Sequence, residues 1–410
     1  NRRNAKMNMM KRNVWLLAGC QALMNSGNSL LIATSALVGF KLAADKSLAT
    51  LPLALQFFTS MLTTIPASFL MKAIGRQAGF MIGTLLGLVG AGLAAWGIVT
   101  GNFVYFCLAA ALIGAFNGFG TYYRFAAADV ATPDYRSRAI SYVMAGGVVA
   151  ALVGPNLAHW TSEWLAGIEF AGSYLSLLGI YGLSLVTLLF VRVPAPTTTP
   201  AHAHGRPLAD IARQPAFIVA LAAGALGVGV MALVMTATPL AMHQHAHAFA
   251  DTAFVIEWHL LGMFAPSFFT GHLIRRFGVL NVMLAGVALN IGCVAVNLAG
   301  TEVAHFWAAL TLLGVGWNFL FIGGTTLLTE TYTEAEKAKA QALNDFVVFT
   351  VITASSLSAG ALQYQLGWRA VNLGVVPFII VILGALLWFK RRCRVPPRAV
   401  PVPPATDPRI

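Results

Sequence analysis

Between Met231 and Met263 the chain carries four soft or borderline metal donors at helical spacing. Met231 and Met235 are four residues apart, as are His259 and Met263, so each pair occupies one face of a helix, one turn apart. The apolar segments that hold them run in opposite directions and are joined by a loop from Met242 to Asp251. Counting inward from the loop puts Met235 and His259 at matching depth, with Met231 and Met263 one turn further, if the two helices are neighbours. Thioether and imidazole suit Cu(I) rather than Mg²⁺, Ca²⁺ or Mn²⁺, which take oxygen. Methionine alone often fills gaps in apolar helices. An ionisable histidine inside a membrane span is costly and marks a functional candidate, and that turns the reading toward a copper site.

Other residues extend this chemistry. Met242, His243, His245 and His247 lie in the joining loop, and an extended backbone would align the three imidazoles, a candidate metal-collection cluster at the mouth. Glu257, near the outer start of the eighth apolar segment, and Asp345, beside Asn344 near the inner end of the eleventh, are candidate proton-coupling acids. Met24, Asn25 and Asn28 belong to a polar run in the first segment, where lipid offers no partners, and are candidates for completing a cavity.

The elements that must position these residues are membrane helices. The 410 residues are 58% hydrophobic and only 10% charged, with mean hydropathy +0.74, which excludes a soluble domain. Apolar runs of bilayer-spanning length are expected near 14–38, 51–71, 79–100, 103–128, 140–162, 171–192, 215–241, 253–274, 279–299, 304–328, 342–362 and 369–389. With twelve spans, only Lys41, Lys46 and Arg369 of the 26 Lys and Arg fall on the face opposite the termini. The positive-inside rule then puts both termini in the cytoplasm. The net charge of +12 is thus a topology signal, and a nucleic-acid partner is not expected. Cys20, Cys107, Cys293 and Cys393 are dispersed, which gives neither a disulfide framework nor a zinc module. The first apolar run has span length and no cleavage site, so it reads as a transmembrane helix rather than a signal peptide.

The chain repeats itself. An offset of 201 pairs Asp129 with Glu330, Arg136 with Lys337, Arg138 with Lys339, and Phe116-Asn117 with Trp317-Asn318. An offset of 203 relates Ser68–Gly75 to Gly271–Gly278. Two six-helix halves follow, 1–193 and 213–392, the second carrying the metal motifs. Between them 194–212 is a linker rich in Pro and Thr, with His202 and His204 as polar spacers. The tail 393–410 lacks core-forming residues and is expected to be disordered. Gly83-x-x-x-Gly87 and Gly114-x-x-x-Gly118 let helix backbones approach closely.

A twelve-span chain of two such halves, an all-α integral membrane protein with both termini inside, resembles the major facilitator superfamily over residues 12–392. The loop pattern G-x-L-x-D-R-x-G is matched best by Gly271–Gly278, with Lys72 or Arg275 standing where the family's acid falls. Within that superfamily, Met231-x-x-x-Met235 and His259-x-x-x-Met263 on consecutive spans resemble the paired motifs of the CcoA-type bacterial copper importers. The resemblance implies a multi-pass inner-membrane carrier that moves Cu(I) to the cytoplasm by alternating access. It implies supply of copper for cbb3-type cytochrome oxidase assembly, with periplasmic and cytoplasmic copper chaperones as partners and the lipid bilayer as surroundings. The copper ion is cargo, no resident cofactor is expected, and the carrier is expected to be a monomer. The competing reading is a proton-coupled exporter of a small organic compound, in which Met and aromatic side chains line an adaptable pocket. No nucleophile, nucleotide loop or paired-carboxylate cleft suggests an enzyme.

Overall fold

A computed structural model describes residues 2–132, 135–193, 205–333 and 335–394, without the side chains of 2–6, 137, 393 and 394. Most of the linker, 194–204 with His202 and His204, and the tail 395–410 lie outside the described residues, as does the side chain of Cys393. In chain order the helices are α1 (Arg2–Leu42), α2 (Leu51–Ile74), α3 (Arg76–Val99), α4 (Phe103–Gly120), α5 (Tyr123–Val130), α6 (Arg136–Thr161) and α7 (Ala171–Leu189). They continue with α8 (Leu208–Ala212), α9 (Pro215–Gln244), α10 (Phe249–Phe264), α11 (Ser267–Phe277), α12 (Val279–Ala299), α13 (Val303–Thr329) and α14 (Lys337–Arg394).

Among the described residues, nine stretches are long and apolar enough to cross a membrane, ten if α10 and α11, which meet at 45°, form one broken span. This is fewer than the twelve expected. The α1 helix is not among the nine, because the polar run from Asn25 to Ser29 dilutes its apolar composition. The 58-residue α14 is interrupted at Gly367, whose φ of 79° is a conformation that a β-carbon disfavours.

Packing follows the sequence repeat. The α1–α6, α2–α4 and α3–α4 contacts of the first half reappear as α9–α14, α10–α13 and α12–α13 in the second. One apolar core is built from residues between Met10 and Val191, another almost wholly from residues between Ile211 and Leu386. Small residues bring the helices close: a β-carbon on Gly87 would lie 2.6 Å from the Phe116 ring, and one on Gly83 2.7 Å from Phe119 Cβ.

The start of α1 and the end of α14 share a basic face. There Arg76, one position after Gly75, forms an ion pair with Asp129 at 2.6 Å, so this base, not Lys72, serves the loop. On the opposite face the halves are joined. Thr50 Oγ1 donates to the Leu357 carbonyl (3.2 Å) and accepts from Gly360 N–H (3.1 Å). Phe40 meets His243 and Tyr364, and Phe249 meets Phe170 with ring centroids 4.8 Å apart. The hydrogen bonds described between the halves all lie in this part. These contacts join the two halves on the face opposite the basic one.

Candidate functional site

Between the halves lies a cavity of about 350 Å³, a volume typical of small-molecule sites. Its two walls differ in chemistry. The first half supplies Gln21, Asn25, Asn28, Ser29, Gln56, Ser60, Asn117, Thr121 and Arg124, besides Met24, Ile32, Phe57 and Met144. The second half supplies only Leu260, Met263, Phe264 and Phe349.

The polar wall is organised by carboxamides. Gln56 Nε2 and Asn117 Nδ2 both donate to Asn28 Oδ1, at 2.9 and 2.8 Å. Gln21 Nε2 donates to Asn25 Oδ1 at 3.0 Å. This leaves Gln56 Oε1 and Asn117 Oδ1 buried without a partner among the described residues, and each such group costs about 1–3 kcal/mol. Arg124 is the one charged side chain on the wall. It is exposed and forms no ion pair among the described residues. The arrangement suits an uncharged molecule with a hydrogen-bonding edge and an apolar, π-rich body.

Met24, Asn25 and Asn28 lie on this cavity. The four expected copper ligands do not form its wall together. Met231 and Met235 are buried in α9, which packs on α14 and α13. The α10 helix packs on α13 and α6 and barely meets α9, so the expectation that the two motif helices are neighbours is corrected. Met263 alone of the four reaches the cavity. His259 is fully buried; its Nδ1 donates to the Leu310 carbonyl at 2.8 Å, leaving Nε2 unpartnered.

The collection loop is also different from expectation. The α9 helix runs on to Gln244, which places Met242 inside the core and His243 on a helical turn. His245 Nδ1 donates to the Ala241 carbonyl and His247 Nε2 to that of Thr301, both at 2.7 Å. The imidazoles are therefore engaged separately instead of aligned on an extended strand. Among the described residues no group of three or more His, Cys, Asp or Glu could hold a metal ion. Glu257 accepts from Asn156 Nδ2 across the interface of the halves.

Reading the sequence for chemistry missed Gln21, Gln56, Ser60, Asn117, Thr121, Arg124, Phe264 and Phe349. The available signal was a carboxamide deep in an apolar segment, as at Gln56 and Asn117, where a polar side chain needs a reason to be.

Comparison with known proteins gives the site its context. The Major Facilitator Superfamily model matches residues 14–256 and 230–409. The riboflavin transporter RfnT of Brucella anthropi is 43% identical over 92% of this chain and 95% of its own length. The uncharacterized transporter YddS of Bacillus subtilis is 26% identical over 94% of this chain and 92% of its own. A solved auto-inhibited peptide transporter of the POT family superposes with a TM-score of 0.69 at 13% identity, covering 96% of this chain and 99% of that one. The chain is a multi-pass protein of the bacterial inner membrane. The RfnT relationship overturns the copper reading, and with it the copper ion, the copper chaperones and the oxidase supply as partners. Physically, spacing aligned each donor pair along its own helix but did not make the helices partners.

Proposed function

We propose that the chain, which belongs to the Major Facilitator Superfamily, carries riboflavin or a closely related uncharged flavin across the inner membrane by alternating access. The observation that carries this reading is the uneven polarity of the central cavity: its carboxamides and hydroxyls all come from the first half, whereas the second supplies only Leu260, Met263, Phe264 and Phe349. A flavin presents a polar pyrimidinedione edge at one end and a methylated benzenoid ring at the other, with a hydroxylated chain on the central ring. The 43% identity to a riboflavin transporter supports the same substrate class.

Counting α1 and the two limbs of α14 about Gly367 as separate spans, and α10 with α11 as one, brings the total to twelve. On that topology the halves are 1–193 and 213–392, joined by 194–212, and the basic face is cytoplasmic. In this reading the cavity exchanges substrate with the cytoplasm. Glu257, on the interface between the halves, and Asp345, on α14, are the acids we assign to proton coupling. The flavin is cargo, and the cycle needs no resident cofactor.

Equilibrium dialysis of the detergent-solubilised protein with radiolabelled riboflavin tests the substrate class. The expected result is one saturable site per chain, displaced by unlabelled riboflavin and indifferent to hexoses and dipeptides. No saturable binding, or displacement by those controls, rejects it.

A further inference from the structure

The carboxamide cluster on the polar wall leaves both acceptors and a donor without partners among the described residues. Asn28 Oδ1 takes an N–H from both Gln56 and Asn117. Asn28 Nδ2 has no partner among the described residues, and neither Gln56 Oε1 nor Asn117 Oδ1 has one, although Gln56 and Asn117 are only 2% and 8% exposed. Buried polar groups are nearly always paired, and an exception calls for a reason.

The internal repeat shows what the same positions do when their role is structural. The offset that aligns Gly75 with Gly278 sets Gln56 against His259, and the offset that aligns Asp129 with Glu330 sets Asn117 against Asn318. Asn318 is fully engaged. Its Nδ2 donates to the Met263 carbonyl and to Ser267 Oγ, and its Oδ1 accepts from Thr270 Oγ1, all at 2.7 Å. These bonds secure the backbone where α10 breaks before Pro266. His259 holds the Leu310 carbonyl of the neighbouring helix. The first-half counterparts brace no backbone through their side chains; they bond only to Asn28, and they line the cavity.

From this contrast we infer that Asn28, Gln56 and Asn117 read an imide edge of the substrate. Its N–H donates to Gln56 Oε1 or Asn117 Oδ1, and its adjoining carbonyl accepts from Asn28 Nδ2. The far, apolar end lies against Met263, Phe264 and Phe349. The inference rests on the flavin reading, in which that edge is the pyrimidinedione, with N3–H between two carbonyls. It fixes the orientation of the substrate and assigns specificity to three residues of the first half.

The test compares binding of riboflavin and 3-methylriboflavin, whose N3–H is replaced by N–CH₃, to the wild-type protein and to Gln56→Leu and Asn117→Leu. Wild type is expected to bind the methylated compound at least tenfold more weakly. In the variant that removes the acceptor used by N3–H, riboflavin affinity falls about tenfold and the ratio between the compounds approaches one. Thermal melting of the solubilised variants checks that they fold, and the wild-type comparison needs no variant. Equal wild-type affinity for both compounds overturns the inference while leaving the flavin reading intact, and it means that the ribityl hydroxyls, untouched by N3-methylation, fill the acceptors. Discrimination that survives in both variants also overturns it. Binding of neither compound by wild type rejects the flavin reading and this assignment together.

Discussion

Asn156 Nδ2 donates to Glu257 Oε2 at 2.8 Å, joining α6 of the first half to α10 of the second. With the Thr50 bonds and the Phe40 and Phe249 ring contacts it closes the face opposite the basic one. A hydrogen bond to a charged group contributes about 1.5–3 kcal/mol, enough to shift a two-state equilibrium roughly tenfold or more. Glu257→Ala should therefore raise the maleimide labelling rate of a cysteine placed at the buried Thr252 about tenfold. Glu257→Gln, which keeps the acceptor oxygen, should label within about threefold of the parent. Equal rates for all three proteins would show that this bond does not hold the seal.

Arg124 on the cavity wall and Asp345 on α14 are both exposed and make no ion pair with each other among the described residues. In the proposed cycle we assign their pairing to the state closed on the basic face, and a proton on Asp345 would weaken that pair. Asp345→Asn is expected to leave riboflavin binding within about twofold while slowing flux severalfold. An imposed pH gradient should accelerate wild-type flux and leave Asp345→Asn unchanged. Wild-type flux indifferent to the gradient removes proton coupling from the account.

Met235 lies in the α9 core, away from the cavity wall. Met235→Leu conserves volume and should cost less than about 1.5 kcal/mol of stability. Riboflavin flux in Met235→Leu should stay within about twofold of wild type. A carrier that used the thioether as a ligand would lose its flux, so abolition of transport in a folded protein would contradict the corrected reading.

The sequence made the helices and the repeat legible, because apolar runs of span length and charges kept to one face are set by the bilayer itself. The polar run of α1 was legible for the same reason: Asn25 and Asn28 stand out against an apolar background. The site was harder to read. Spacing of four places Met231 above Met235, yet it does not say which neighbour that face meets, and α9 turned toward α14 rather than α10. His259 looked like a ligand because it is ionisable in a membrane; the backbone carbonyl of Leu310 is the partner that one sequence cannot reveal. Asn117 and Asn318 are the same residue at matched positions, and only contacts distinguish the one that faces the cavity from the one that braces a helix break.

Glu336 ties the end of the linker to the second half. Arg206 donates to it through its backbone N–H and Nε, both at 2.8 Å, and Thr333 N–H donates at 3.0 Å. The hydrogen bond from Arg206, followed by that from Thr333, holds the carboxyl well below the usual carboxylate range. A lowered folded value means the contribution is complete above the unfolded value, about 4.3, and is lost as pH falls through the folded one. Hydrogen-exchange protection of the Arg206 and Thr333 amides should thus be flat from about pH 6 to 8, and about tenfold lower in Glu336→Gln. Protection that declines within that window in wild type would refute the assignment.

Riboflavin transport is read by flux. Purified protein of determined orientation, reconstituted in proteoliposomes, should move radiolabelled riboflavin saturably, with competition by excess unlabelled riboflavin and no effect of a Cu(I) chelator. The same vesicles should show no protein-dependent Cu(I) flux. Absence of riboflavin flux from a folded, riboflavin-free preparation, or Cu(I) flux that Met235→Leu abolishes, would contradict the account.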